Sequence, residues 1–110
     1  MANTFKNAAL ANVDNSAYDT LYTCPSATTS IVLGVAIANK TAQAVSITVQ
    51  FTDSSAATTH QLLEQVEIPG RTTLEVLAGQ KYVLEASDIF KCKAGTASAI
   101  DVTMGLMEIT

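Results

Sequence analysis

The chain has 110 residues, 48% of them hydrophobic and 15% charged, a make-up that suits one folded domain with a single core and excludes intrinsic disorder. Its net charge of −4 and pI of about 4.6 exclude the clustered basic surface that nucleic acid or an anionic membrane requires, and its 6 basic residues are scattered from Lys6 to Lys93. No stretch approaches the roughly 20 apolar residues of a spanning helix, and the opening MANTFKNAALANVDNSAYDT has no continuous apolar signal segment, so synthesis in a cytoplasm is expected.

Residues 1–17 are rich in Ala and Asn, with Phe5, Leu10 and Val13 as their large apolar side chains. They read as an extended N-terminal arm, and residues 18–110 as the folded domain. Tyr18 to Cys24 has the aromatic and β-branched character of a strand and stops at Pro25, which cannot donate to a ladder. Ile31 to Ala38 and Val45 to Phe51 follow, joined by the polar Asn39–Gln43 connection, and read as a hairpin. The second alternates: Val45, Ile47, Val49 and Phe51 face one way and Ser46, Thr48, Gln50 and Thr52 the other.

Beyond a small polar loop, Leu62 to Ile68 has glutamates on both faces and reads as a peripheral strand, with one or two helical turns at Thr59–Gln65 as the competing assignment. Pro69-Gly70 predicts a type II turn, proline setting the first central position and glycine taking positive φ at the next. Thr72 to Leu77, a turn at Ala78-Gly79-Gln80, Lys81 to Glu85, Asp88 to Lys93 and a last strand from Ile100 to Ile109 complete the series. About seven or eight short strands divided by turn signals predict an all-β fold, a small antiparallel β-sandwich of jelly-roll or Ig-like type.

Reaction chemistry is missing from this pattern. His60 stands in a Thr-rich loop without triad spacing, the 10 carboxylates form no calcium-loop pattern, and neither a phosphate loop nor a nucleophile elbow occurs. No catalytic, cofactor-binding or metal-ligating residue is therefore assigned. Asn39-Lys40-Thr41 fits the glycosylation pattern but reads as a hairpin loop. Cys24 and Cys92 read as two small buried thiols. A disulfide between them would stabilise by about 4 kcal/mol in the chain-entropy view but needs an oxidising compartment, and zinc would need more ligands than one histidine and two cysteines supply.

Two strands are apolar on both faces, which implies cover from two sides. The Ile31 strand sets Ile31, Leu33, Val35 and Ile37 on one face and Val32, Gly34, Ala36 and Ala38 on the other, where small residues admit a second layer. The last strand sets Ile100, Val102, Met104 and Leu106 against a face carrying Gly105, Met107 and Ile109. An exposed apolar strand end is a sticky edge unless a neighbour covers it. The candidate interface residues are accordingly Phe5, Leu10, Val32, Gly34, Ala36, Leu106, Met107 and Ile109, with a second copy as partner; the alternative places both strands centrally in a closed sandwich.

The segments MANTFK, LYTCP, GVAIANKTAQAVSITVQF, VEIPGRTTLEVLAGQKYVLEASDIFKCKAG and DVTMGLMEIT resemble small virion proteins of tailed bacteriophages, in particular those of marine bacteria and cyanobacteria. The resemblance spans nearly the whole chain, is carried by strands and turns, and includes no matching pattern for the cysteines. It implies a non-catalytic, multi-copy structural subunit of the virion, made in the host cytoplasm and binding other phage structural proteins (tail, neck or major capsid protein). A symmetric oligomer of the neck or tail region is the expected setting, and a capsid decoration protein is the alternative. A carbohydrate-binding module of a tail appendage is a third reading, weakened by the absence of Trp and by just 3 Tyr and 3 Phe for a sugar platform.

Overall fold

Nine strands make up the computed structural model, which describes residues 2–77 and 80–110. In chain order they are β1 (Asn3–Leu10), β2 (Asp19–Thr23), β3 (Thr29–Asn39), β4 (Val45–Asp53), β5 (Thr58–Ile68), β6 (Thr73–Glu75), β7 (Tyr82–Leu84), β8 (Ile89–Ala94) and β9 (Ile100–Ile109). They form two antiparallel sheets, one ordered β1-β9-β3-β6 with β7 also on β3, the other β2-β8-β4-β5. With β6 and β7 counted as one interrupted strand, successive strands alternate between sheets except at β4–β5. That interleaving is the jelly roll, the first of the two expected sandwich types.

The strand beyond the predicted number is β1. Residues 3–10, expected as part of an arm, form a strand of the first sheet and pair with β9 without interruption from Asn3↔Ile109 to Leu10↔Val102. Val13 follows into the core, fully buried, its N–H donating to the Ile100 carbonyl at 2.9 Å. The helical alternative at Thr59–Gln65 is overturned, since that stretch lies within β5. β5 is the edge of its sheet, as its glutamates implied. The turn expected at Ala78-Gly79-Gln80 falls partly outside the described residues.

The predicted β3–β4 hairpin is also corrected: the two strands lie in opposite sheets and the connection crosses between them. Asn39 builds this corner. Its buried amide donates to the carbonyls of Gln43 (2.8 Å) and Ile68 (2.9 Å), while its Oδ1 accepts from the N–H (2.9 Å) and hydroxyl (2.8 Å) of Thr41. A polar connection between two apolar strands signals a reversal of direction; whether the chain returns to the same sheet depends on non-local partners.

The Pro69-Gly70 reversal differs from a type II turn, because the left-handed residue is Arg71 (φ 55°). Gly70 is needed for space: a Cβ there would drive into the backbone carbonyl of Ala42, on the corner that Asn39 holds. Gly70→Ala is therefore expected to destabilise the fold by about 1–3 kcal/mol through overpacking against backbone, measured as a lower midpoint in urea; an unchanged midpoint would contradict the close approach.

The core lies between the sheets. Val35 and Ile37 of β3, with Ile100, Val102, Met104 and Leu106 of β9, meet Ile47 and Val49 of β4 and Phe90 and Cys92 of β8, all buried. The predicted alternation of β4 holds at Val45, Ile47 and Val49, all buried, and at Phe51, which packs partly buried against the core.

Candidate assembly face

Burial of one face of the first sheet leaves the question of the other. The β3 alternation breaks at a bulge: Val32 is opposite Leu106, Gly34 is opposite Gly105, and Leu33 is the extra residue between them. Past it the side chains exchange faces, so Val32 and Val35 both point inward although three positions apart. Ile31 and Gly34 consequently share the outer face, which strict alternation had assigned differently.

The candidate residues separate accordingly. Val32 and Leu106 are 0% and 1% exposed and belong to the subunit core. Leu10 packs partly buried against that core. Phe5, Gly34, Ala36, Met107 and Ile109 come together on the outer face of the β1-β9-β3 sheet, by their register and by the alternation of each strand. Two residues missed in the sequence complete it. Register places Phe5 opposite Met107, Met107 opposite Ile31, and Ile31 opposite Val83, a single apolar row across β1, β9, β3 and β7. Phe5 is 74% and Val83 56% exposed, Ile31 and Met107 are half-buried, and Leu33 stands exposed beside the row.

Val83 was detectable from its alternation with Tyr82 and Leu84; Ile31 was hidden by the bulge. Glycines extend the face, since Gly34 and Gly105 lie opposite each other and no heavy atom lies within 4 Å of where a Gly105 Cβ would stand. Beside the apolar row the face carries one carboxylate, and an ion pair lies at its margin. Asp101 pairs with Lys40 at 2.9 Å, and Glu75 lies over Gly34 with its Oε1 accepting from the Val35 N–H at 3.1 Å.

The inward side of β1 is polar toward its N-terminal end. Lys6 Nζ is 3.1 Å from Oε1 of the buried Glu108, and Tyr22, from the other sheet, donates its hydroxyl to Glu108 Oε2. The Tyr22 oxygen is also 2.7 Å from Ser30 Oγ, which is 3.2 Å from Cys24 Sγ. The Tyr22 hydrogen bond, then Lys6, hold the Glu108 carboxyl below the usual glutamate range. Burial, then Glu108, push the Tyr22 phenol up.

A carboxyl with a depressed folded-state pKa stabilises the fold above its unfolded value, and that stabilisation is lost as pH falls through the folded value. Glu108→Gln is thus expected to flatten the loss of stability seen below about pH 4.5, read from urea midpoints across an acid series. An acid limb as steep as the wild type's would contradict the role of Glu108.

Cys24 and Cys92 are buried free thiols, in line with the first of the readings open in the sequence. Burial, aided by the Asp19 charge, pushes the Cys92 thiol up to about 12, which leaves it protonated and inert at neutral pH. Asp53, Glu85 and Asp88 converge, with ligand oxygens within 4.8 Å of one another. The two oxygens of the buried Asp88 accept the N–H groups of Ser54 (3.0 Å) and Glu85 (2.9 Å), so this carboxylate ties two loops together. His60 sits on β5, with its ring stacked on Phe51 and its Nε2 3.0 Å from the Thr58 hydroxyl.

No protein-family model and no curated protein matches the sequence. Solved structures are similar in fold. A protein of Bacillus endospore appendages, described as a family of disulfide-linked pili, aligns over 96% of this chain and 85% of its own at 10% identity and a TM-score of 0.53. A chain of infectious bursal disease virus, Gx strain, aligns over 96% of this chain at 10% identity and a TM-score of 0.48, this chain spanning 33% of its length. A pentameric capsid protein from metagenomic phage sequences aligns over 94% of this chain and 60% of its own, at 15% identity and a TM-score of 0.39. The endospore likeness establishes a shared β-sandwich fold; function has to be argued from surfaces.

Proposed function

We propose that this chain is a non-catalytic structural subunit that works in many copies, self-associating through the outer face of its β1-β9-β3 sheet. The observation that carries this reading is the row Phe5–Met107–Ile31–Val83, which lies in register across four strands and contains no charged residue. Contiguous exposed apolar surface on a small domain favours burial by a partner, and a second copy brings an identical apolar row.

The setting we propose is the virion of a tailed phage, in the neck or tail region, with other virion proteins as further partners. The resemblance of the LYTCP, VEIPGRTTLEVL and DVTMGLMEIT segments supports it. The same sandwich serves in the endospore pili, which are disulfide-linked; in this chain both thiols are buried, so its contacts between copies are non-covalent.

The test is antibody labelling of intact particles from the phage that encodes the chain. Label at the head–tail junction or tail supports the assignment, label over the head moves it to capsid decoration, and unlabelled particles overturn the virion setting.

A further inference from the structure

We infer that two copies join edge to edge through β1, antiparallel about a two-fold axis at Phe5, so that one sheet runs through both subunits. The inference deepens the self-association proposed above and rests on it. It begins with the four sheet edges, three of which are broken or short. β5 carries register breaks, a left-handed Gln65 (φ 50°) and the charges of Glu64 and Glu67. β2 has 5 residues and a register shift. The fourth strand position of the first sheet is divided between β6 and β7, of 3 residues each. Breaks, shortness and charge are the usual means by which edges avoid pairing.

β1 is neither broken nor short, and Lys6 is its one guard. Its 8 residues pair with β9 without a shift and include no proline, and its one charged side chain, Lys6, is drawn inward to Glu108.

The ladder also fixes which groups β1 offers. Ala2 and Thr110 exchange both backbone hydrogen bonds, at 3.3 and 3.0 Å. Antiparallel pairs alternate between bonded and non-bonded, so Ala2, Thr4, Lys6 and Ala8 turn their backbone groups to β9. Asn3, Phe5, Asn7 and Ala9 turn theirs to the free edge. The same odd-numbered residues carry the outward-facing side chains. A partner strand must therefore set odd residues against odd to keep both apolar faces on one side.

Among such registers, centring on Lys6 would oppose like charges, which is unfavourable. Centring on Phe5 opposes Lys6 to Thr4 and Asn7 to Asn3 of the second copy. It also brings Phe5 against its own counterpart, continuing the row Val83–Ile31–Met107–Phe5 into the same row reversed. Phe5, the most exposed large apolar side chain among the described residues, then gains an aromatic cross-strand partner.

Cysteine crosslinking tests the register, because bonded antiparallel pairs stand about 5.5 Å apart at Cα, inside disulfide range. Phe5→Cys should give a disulfide-linked dimer on mild oxidation. Asn7→Cys, whose two copies would be about 14 Å apart along the strands, should not. The native thiols, buried in both variants, give the background on the unmodified chain.

Asn7→Pro removes an N–H that faces the free edge and spares the ladder to β9, so it should remove the edge contact and weaken association while leaving the circular dichroism spectrum and melting point near wild type. Amide exchange supplies a readout free of mutation: the N–H groups of Phe5 and Asn7 should be protected in the associated protein and exchange quickly on dilution to monomer.

If the wild type associates but Phe5→Cys fails to crosslink and Asn7→Pro associates normally, the β1 edge is overturned and self-association stands. If the wild type stays monomeric at every concentration and Phe5→Cys does not crosslink, both readings fall.

Discussion

Asn39→Asp is expected to lower stability by about 3–5 kcal/mol, a fall of about 15–25 °C in melting temperature for a domain of this size. The change is isosteric, so packing is preserved and the chemistry alone is altered. The native amide donates to the Gln43 and Ile68 carbonyls; a carboxylate there turns charge toward the same two oxygens, out of water. The side-chain oxygen that accepts from Thr41 survives, so the loss belongs to the donor side.

The pH dependence separates this account from a general weakening. Burial against carbonyls raises the pKa of the introduced carboxyl. Its penalty is then fully present above that raised value and shrinks as pH falls and a proton restores one donor. The difference in melting temperature from the wild type should narrow on acidification. A difference of under about 5 °C at neutral pH would mean that Asn39 does not hold the corner between the sheets.

Met107→Lys is expected to act on assembly and leave the fold in place. Met107 is half-buried on the outer face, opposite Phe5 and Ile31, and a lysine there can lay its methylenes along the sheet and keep its ammonium in water. Subunit stability should change by less than about 1 kcal/mol. In the assembly the same ammonium would be buried without a partner, or would hold the faces apart. Self-association should weaken by about 10–100-fold, or about 1.4–2.8 kcal/mol, read from sedimentation as a function of concentration. A large drop in the melting point of the isolated subunit, with association unchanged, would instead place Met107 in the core.

The all-β class was legible because turn residues divide the chain into strand-length pieces, and β4 shows why the inner face could be read: its alternation runs unbroken from Val45 to Phe51. Topology was not legible. The Asn39–Gln43 connection looks the same whether the chain returns to its own sheet or crosses to the other, and the distinction rests on Asn39 reaching Ile68, 29 positions away. β1 escaped assignment for a related reason. Ala and Asn have weak strand preference, and the segment is extended because the long, regular β9 offers it an edge.

The candidate face divides along the same lines. Met107 and Ile109 could be found from a terminal strand apolar on both sides. Val32 was misplaced because one extra residue, Leu33, exchanges the faces of everything on one side of it, and a bulge of this kind depends on the partner strand. The two strands apolar on both faces, β3 and β9, prove to be central in their sheet, with inner faces in the core and outer faces forming the apolar row.

The central claim is that this row is covered by further copies of the chain. It is tested most directly by measuring the mass of the purified protein by light scattering under reducing conditions over a wide concentration range. The account predicts a reversible multiple of the 11.5 kDa subunit that dissociates on dilution and is weakened by Met107→Lys. A mass fixed at that of one subunit at the highest concentration attainable would contradict it.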